Sequence, residues 1–142
     1  MERTAEARWE GELRSGTGQI RLGSGAFEGK YSFGTRFESS PGTNPEELLG
    51  GAHAGCFTMA LASALAKGGH PATRIETKAT VRLEKVGEGF GITGVDLVTR
   101  GVVPGVSSEA FRRAADDMGA NCIVSRALKA VPITVKATLA NP

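Results

Sequence analysis

At 142 residues the chain is long enough to bury a core of its own, and one domain over residues 1–142 is expected. Its 17 Lys+Arg against 15 Asp+Glu leave a net charge of +2, and the basic residues are scattered without a stacking platform, so neither a nucleic acid nor another polyanion is an expected partner. No apolar signal region opens the sequence Met1–Trp9, and a cytoplasmic location is expected. In that reducing compartment the two cysteines, Cys56 and Cys122, are not expected to form a permanent structural bridge. With His53 and His70 they show no ligand-pair spacing, so no metal is expected, and the glycine-rich loops carry no phosphate-binding pattern that would point to a nucleotide cofactor.

Trp9, Leu13, Ile20 and Leu22 fall at strand-like intervals and predict two short strands over residues 5–13 and 17–23, with a hairpin turn at Ser15–Gly18 between them. Gly23–Gly25 turns the chain again. Residues 30–38 predict a third strand, with Tyr31, Phe33 and Thr35 on one face and Ser32 and Arg36 on the other. Ser39–Thr43 is a loop by composition.

A long helix follows. Asn44 is a good N-cap, Pro45 suits the first helical position, and Glu47 stands at the capping-box spacing. Glu46 and Glu47 both favour the positive end of the helix dipole. From Leu48 to Leu65 there is no clear polar face, which predicts a helix buried on most sides. Its apolar run is expected to be too short, and too rich in Gly and Ala, for a membrane span. Gly68-Gly69 and then Pro71 end it.

Strict alternation over Arg74–Val86 predicts a half-buried strand, and Gly91–Val102 its partner across the turn Gly87–Gly89. Ser107 or Ser108 caps an amphipathic helix running to about Met118, with Phe111, Ala114, Ala115 and Met118 on the inner face and Gly119 as its stop. Asn121 is expected to cap a short further helix holding Cys122. Ile133–Leu139 is the last strand. The element order predicts an α+β domain with largely antiparallel sheets.

Cys56 lies about three turns into the long helix, beyond the useful reach of its dipole. In apolar surroundings a thiol is inert unless a cation is brought to it. Arg36, just upstream of the helix, is the candidate cation. His53 shares a helix face with Cys56, so a Cys–His acyl-transfer pair is one alternative and a core histidine the other. Cys122, beside a helix start, meets free backbone N–H groups that favour a reactive sulfur. Glu46 is ten positions before Cys56, about 15 Å along a helix rising about 1.5 Å per residue. The two cannot serve one site within one regular helix.

The stretches Gly42-Thr-Asn-Pro-Glu-Glu-Leu-Leu-Gly-Gly-Ala-His-Ala-Gly-Cys56-Phe57 and Asn121-Cys122-Ile-Val-Ser-Arg-Ala-Leu128 resemble the OsmC/Ohr family of bacterial thiol-dependent hydroperoxide reductases over nearly the whole chain. Tyr31–Glu38, with Arg36, resembles the OsmC branch. Ile123 departs from the family's usual proline. The resemblance implies an intertwined homodimer with long central helices buried between sheets. It implies Cys56 as the peroxide-reacting cysteine, Cys122 as the resolving cysteine, Arg36 holding the thiolate and hydroperoxide, and Glu46 orienting that arginine from the facing subunit. Phe57, Phe33 and Met59 would line an apolar substrate pocket. The expected substrate is an organic hydroperoxide and the expected reductant a dithiol or lipoyl-bearing protein. A redox-sensing or thiol-binding module using the same cysteines is the alternative.

Overall fold

Three strands open the chain: β1 (Ala5–Glu10), β2 (Thr17–Leu22) and β3 (Glu28–Tyr31), all antiparallel in the order β1-β2-β3. Trp9 and Tyr31 both lie opposite Gly18 in the register. Their rings meet there with centroids 5.4 Å apart, in space that a side chain on Gly18 would occupy. The first strand stops short of its expected end, and Leu13 is exposed.

The computed structural model describes all 142 residues, which divide into two compact units, Met1–Leu48 and Leu49–Pro142. In the first unit the strand expected over 30–38 ends at Tyr31, and α1 (Phe33–Phe37) takes its place. Ser32 and Thr35 form a reciprocal capping box: Thr35 N donates to Ser32 Oγ at 3.2 Å and Ser32 N donates to Thr35 Oγ1 at 2.9 Å. Two backbone donors that an edge strand would leave open are thereby satisfied locally. Phe33 and Phe37, one helical turn apart, then stack at 4.9 Å. Arg36 is therefore on a helix, not on a strand.

The long helix α2 (Pro45–Lys67) spans the boundary between the units. Asn44 caps it as expected, its Oδ1 accepting from Glu47 N at 2.8 Å. The Glu47 carboxylate does not complete a capping box; it accepts the Thr43 hydroxyl at 3.0 Å. At the other end Gly69 adopts φ +84°, and His70 N donates to Leu65 O and Gly69 N to Ala66 O. That is a Schellman closure, which needs the left-handed residue glycine supplies. By length and composition alone its apolar run is not too short to cross a membrane, a criterion that the core helix of a soluble protein also meets. Within the chain it is not buried on most sides either. Gly50, His53, Phe57, Leu61 and Leu65 face the core, whereas Gly51, Ala52, Gly55, Met59, Ser63 and Ala66 are exposed.

The second unit is built on β4 (Arg74–Val86), β5 (Gly89–Val102) and β6 (Ile133–Leu139), with β5 central. β4 and β5 are antiparallel, with an irregularity between Arg82 and Leu83. β6 joins β5 in parallel, because α3 (Ser108–Asn121) and α4 (Ile123–Ala127) carry the chain back before it re-enters the sheet. The sheets are thus largely antiparallel, with this one exception. Phe57, Leu61 and Leu65 of α2 form a core with Val95 and Leu97 of β5, Phe111 and Ala115 of α3, Val103 and Cys122. Burying each large side chain fully contributes about 1.5–3 kcal/mol. Thr58 donates to Thr77 at 2.8 Å, and Thr99 lies 3.0 Å beyond Thr77 and donates to Glu76 O, so the hydroxyls in this core are satisfied.

Two expected boundaries move. Gly119 does not stop α3; it lies inside the helix, buried where Val135 packs on it. Asn121 does not cap α4; it bonds back to Asp117. The cap is Cys122 itself, whose sulfur takes the place of the usual side-chain oxygen and accepts from Ser125 N at 3.4 Å.

Candidate active site

Arg36 is positioned by a chain of local bonds in the first unit. Gly42, at φ +139°, turns the loop tightly; a Cβ there would lie 2.7 Å from Thr35 Cγ2 and 2.9 Å from Lys30 O. The turn lets Thr43 N reach Lys30 O at 3.0 Å. Asn44 then does two jobs. Its Oδ1 caps α2, while its Nδ2 donates to Thr35 O at 3.0 Å. One side chain thus ties α1 to the first turn of α2 and brings Arg36 to Glu46.

The contact is fork-like. Arg36 Nη2 donates to Glu46 Oε1 at 2.7 Å, and Nε donates to Oε1 and Oε2 at 3.1 and 3.2 Å. Such geometry fixes the guanidinium plane as well as its position. The Arg36 side chain is 40% exposed and that of Glu46 only 9%. Nη1 is not part of the pair, so one edge of the cation remains available to an anion. The guanidinium carbon also lies 5.3 Å from the centroid of the Phe37 ring.

Glu46 thus meets the arginine of its own chain, where the resemblance implied one from the facing subunit. The cause is local: ten residues of helix, loop and cap fold back so that Arg36 and Glu46 meet.

Both thiols lie in the second unit and both are free, Cys56 half-buried and Cys122 buried. Cys56 packs against the core cluster to which Cys122 belongs. Cys122 Sγ lies 3.0 Å from Ser125 Oγ, and Ser125 Oγ lies 2.7 Å from His53 Nε2. His53 is fully buried, and burial pushes its pKa below the ordinary 6.5, favouring the neutral ring. His53 thus faces Ser125 and Cys122 rather than pairing with Cys56, which removes the geometric basis for a Cys56–His53 acyl-transfer pair.

The three apolar candidates are placed differently from one another. Phe57 is fully buried in the core, Phe33 lies between Phe37 and the Arg14 guanidinium, and Met59 is 76% exposed. Ser125 was not singled out by its sequence. A signal existed in the spacing Cys122-x-x-Ser125, which is that of an N-cap and its third helical residue. Its link to His53, across 72 positions, exists only in the folded chain.

A model of the family described as OsmC-like protein matches residues 37–136, beginning just past Arg36. The peroxiredoxin OsmC of Escherichia coli K12 is 43% identical over 131 residues, covering 92% of each chain. The crystal structure of the organic hydroperoxide resistance protein OhrB of Bacillus subtilis superposes with a TM-score of 0.73 at 25% identity, covering 96% of this chain and 98% of that one. An OsmC-like protein of unknown function from Vibrio cholerae superposes at 0.76 with 17% identity, covering 97% and 99%, and shows the same fold. The chain belongs to the OsmC-like family.

Proposed function

We propose that this chain is a thiol-dependent peroxidase that reduces organic hydroperoxides to alcohols. Two free thiols sharing one apolar cluster carry the proposal, in a chain 43% identical to a peroxiredoxin. The Cys56 thiolate attacks the outer peroxide oxygen. The O–O bond breaks, an alkoxide leaves and is protonated to the alcohol, and Cys56 becomes a sulfenic acid. The Cys122 sulfur then displaces the hydroxyl as water, giving a Cys56–Cys122 disulfide. A dithiol, small or lipoyl-borne, restores both thiols by exchange. Arg36, held by Glu46, supplies the positive edge for the Cys56 thiolate and the peroxide oxygens.

The working unit is a homodimer. Arg36 is committed to Glu46, and Glu46 is about 15 Å up the helix from Cys56. The pair therefore serves the Cys56 of a second copy. The exposed face of α2 fits such an assembly: a Cβ on Gly51 or Gly55 would meet nothing within 4 Å in the single chain, and Met59 stands beside them in solvent. A second copy would cover that face. Met59 and Phe33 would then be available to wall an apolar pocket, with Phe57 supporting it from the core. The location is cytoplasmic, where reduced dithiols are maintained.

Incubation with cumene hydroperoxide and dithiothreitol tests the activity. Peroxide loss well above that with dithiothreitol alone is expected. Loss at the background rate would leave a redox-sensing or thiol-binding module. Sedimentation measures the assembly, and a monomer at micromolar concentration would remove the shared site.

A further inference from the structure

The peroxide chemistry leaves one buried titratable side chain without a part, and that chain leads to a reacting sulfur. His53 Nε2, Ser125 Oγ and Cys122 Sγ stand in line at successive separations of 2.7 and 3.0 Å. All three residues are buried. The order of donors follows from the far side of the ring. Nδ1 of His53 is buried without a hydrogen-bond partner. A buried N–H without an acceptor is rarer than a buried acceptor without a donor. The proton of the neutral ring therefore belongs on Nε2, which donates to Ser125 Oγ. The Ser125 hydroxyl is left to donate to Cys122 Sγ, and Ser125 N donates to the same sulfur at 3.4 Å. Two donors converge on one atom, an arrangement suited to a sulfur that carries negative charge.

We propose that Ser125 is a further catalytic residue and His53 its positioning residue, forming a donor chain that stabilises negative charge on Cys122 whenever the Cys56–Cys122 disulfide opens or closes. This rests on the two-cysteine peroxidase reading. On closing, the Cys122 thiolate attacks the sulfenic sulfur of Cys56; an S–S bond forms, the S–O bond breaks, and the departing hydroxide takes up a proton to become water. On opening, the difference in burial sets the direction. Cys56 is partly exposed and Cys122 is 3% exposed. A reductant thiolate therefore reaches the sulfur of Cys56, forms a mixed disulfide there, and expels Cys122 as the thiolate. The second thiol of the reductant then displaces Cys56 and leaves as a cyclic disulfide. Departure is faster when charge on the leaving sulfur is stabilised.

The disulfide can be formed without peroxide, by diamide, and its opening by dithiothreitol followed by alkylation and mass measurement. Ser125→Ala should slow opening by about 10-fold or more, the loss expected for one hydrogen bond to a charged group. Ser125→Thr keeps the hydroxyl and should stay within about threefold. His53→Leu should slow opening by several-fold, whereas His53→Gln, which keeps a donor near Nε2, should remain close to the parent. Circular dichroism checks that each variant is folded. Parent-like opening in Ser125→Ala, equal slowing in His53→Gln and His53→Leu, or absence of the diamide disulfide would each overturn the donor chain. A normal diamide disulfide with parent and variants ordered as expected, but no cumene hydroperoxide turnover, would overturn the peroxidase reading and leave the donor chain standing.

Discussion

In the proposed chemistry the Arg36–Glu46 pair and the His53–Ser125–Cys122 chain are two solutions to the same difficulty, negative charge in a partly apolar setting. The first uses a full cation, half in solvent, held by a carboxylate through three hydrogen bonds. The second uses neutral donors in the core. A full charge is tolerable where water can still reach it, and its field extends to a reactant that comes and goes. Burying an unpaired cation beside Cys122 would cost several kcal/mol, so neutral donors suit that position. The contrast teaches that exposure, not only the identity of the sulfur, decides what kind of group can activate it.

The largest expected effect separates the two by rate. Arg36→Ala should slow oxidation of Cys56 by hydroperoxide by about 10²-fold or more, the scale of losing one preorganised charge-stabilising group. Its effect on stability should be about 1–3 kcal/mol, because Arg36 is partly exposed but the nearly buried Glu46 carboxylate loses its partner. Stopped-flow fluorescence and urea unfolding read the two quantities, and an unchanged rate with a large stability loss would reverse the comparison.

The next effect concerns the cap shared by α1 and α2. Asn44→Ala removes both the α2 cap and the tie to Thr35 O, and should destabilise the chain by about 1–2 kcal/mol. It should also slow Cys56 oxidation, since Arg36 loses its placement. A stability loss with no change in rate would show that Glu46 alone holds the arginine.

The smallest effect is one of pH. Burial lowers the pKa of His53 in the folded chain, so as pH falls through about 6.5 the unfolded chain binds a proton that the folded chain takes up only at lower pH. Stability is therefore full above that value and declines below it. The urea midpoint should fall between pH 7.5 and pH 5, and the decline should be shallower in His53→Gln. Parallel declines would place the titrating group elsewhere.

Most of this architecture is legible before folding. Asn44, Pro45 and Gly69 bound α2 because their backbone chemistry is local, and the alternation of β4 and β6 survives because one face of each is half-buried and the other exposed. Arg36 is misplaced on a strand because Tyr31, Phe33 and Thr35 satisfy a period of two as well as Phe33 and Phe37 satisfy a helical turn. Ser32 and Thr35 decide between them, through bonds that the apolar pattern does not register. That Glu46 meets Arg36 within one chain is not foreseen for a related reason: its spacing from Cys56 is fixed by the helix, whereas its approach to Arg36 depends on the Gly42 turn. The link of Ser125 to His53 is invisible because it joins segments that only tertiary packing brings together.

A glycine inside a helix costs roughly 1 kcal/mol relative to alanine. Gly51 and Gly55 incur that cost twice, one turn apart, where their own chain leaves room for a methyl group at each. Folding of the isolated chain would thus favour alanine at both positions. The sequence that best stabilises one copy and the sequence this protein carries diverge at these two residues, so a screen for thermal stability alone would select away from the native helix surface.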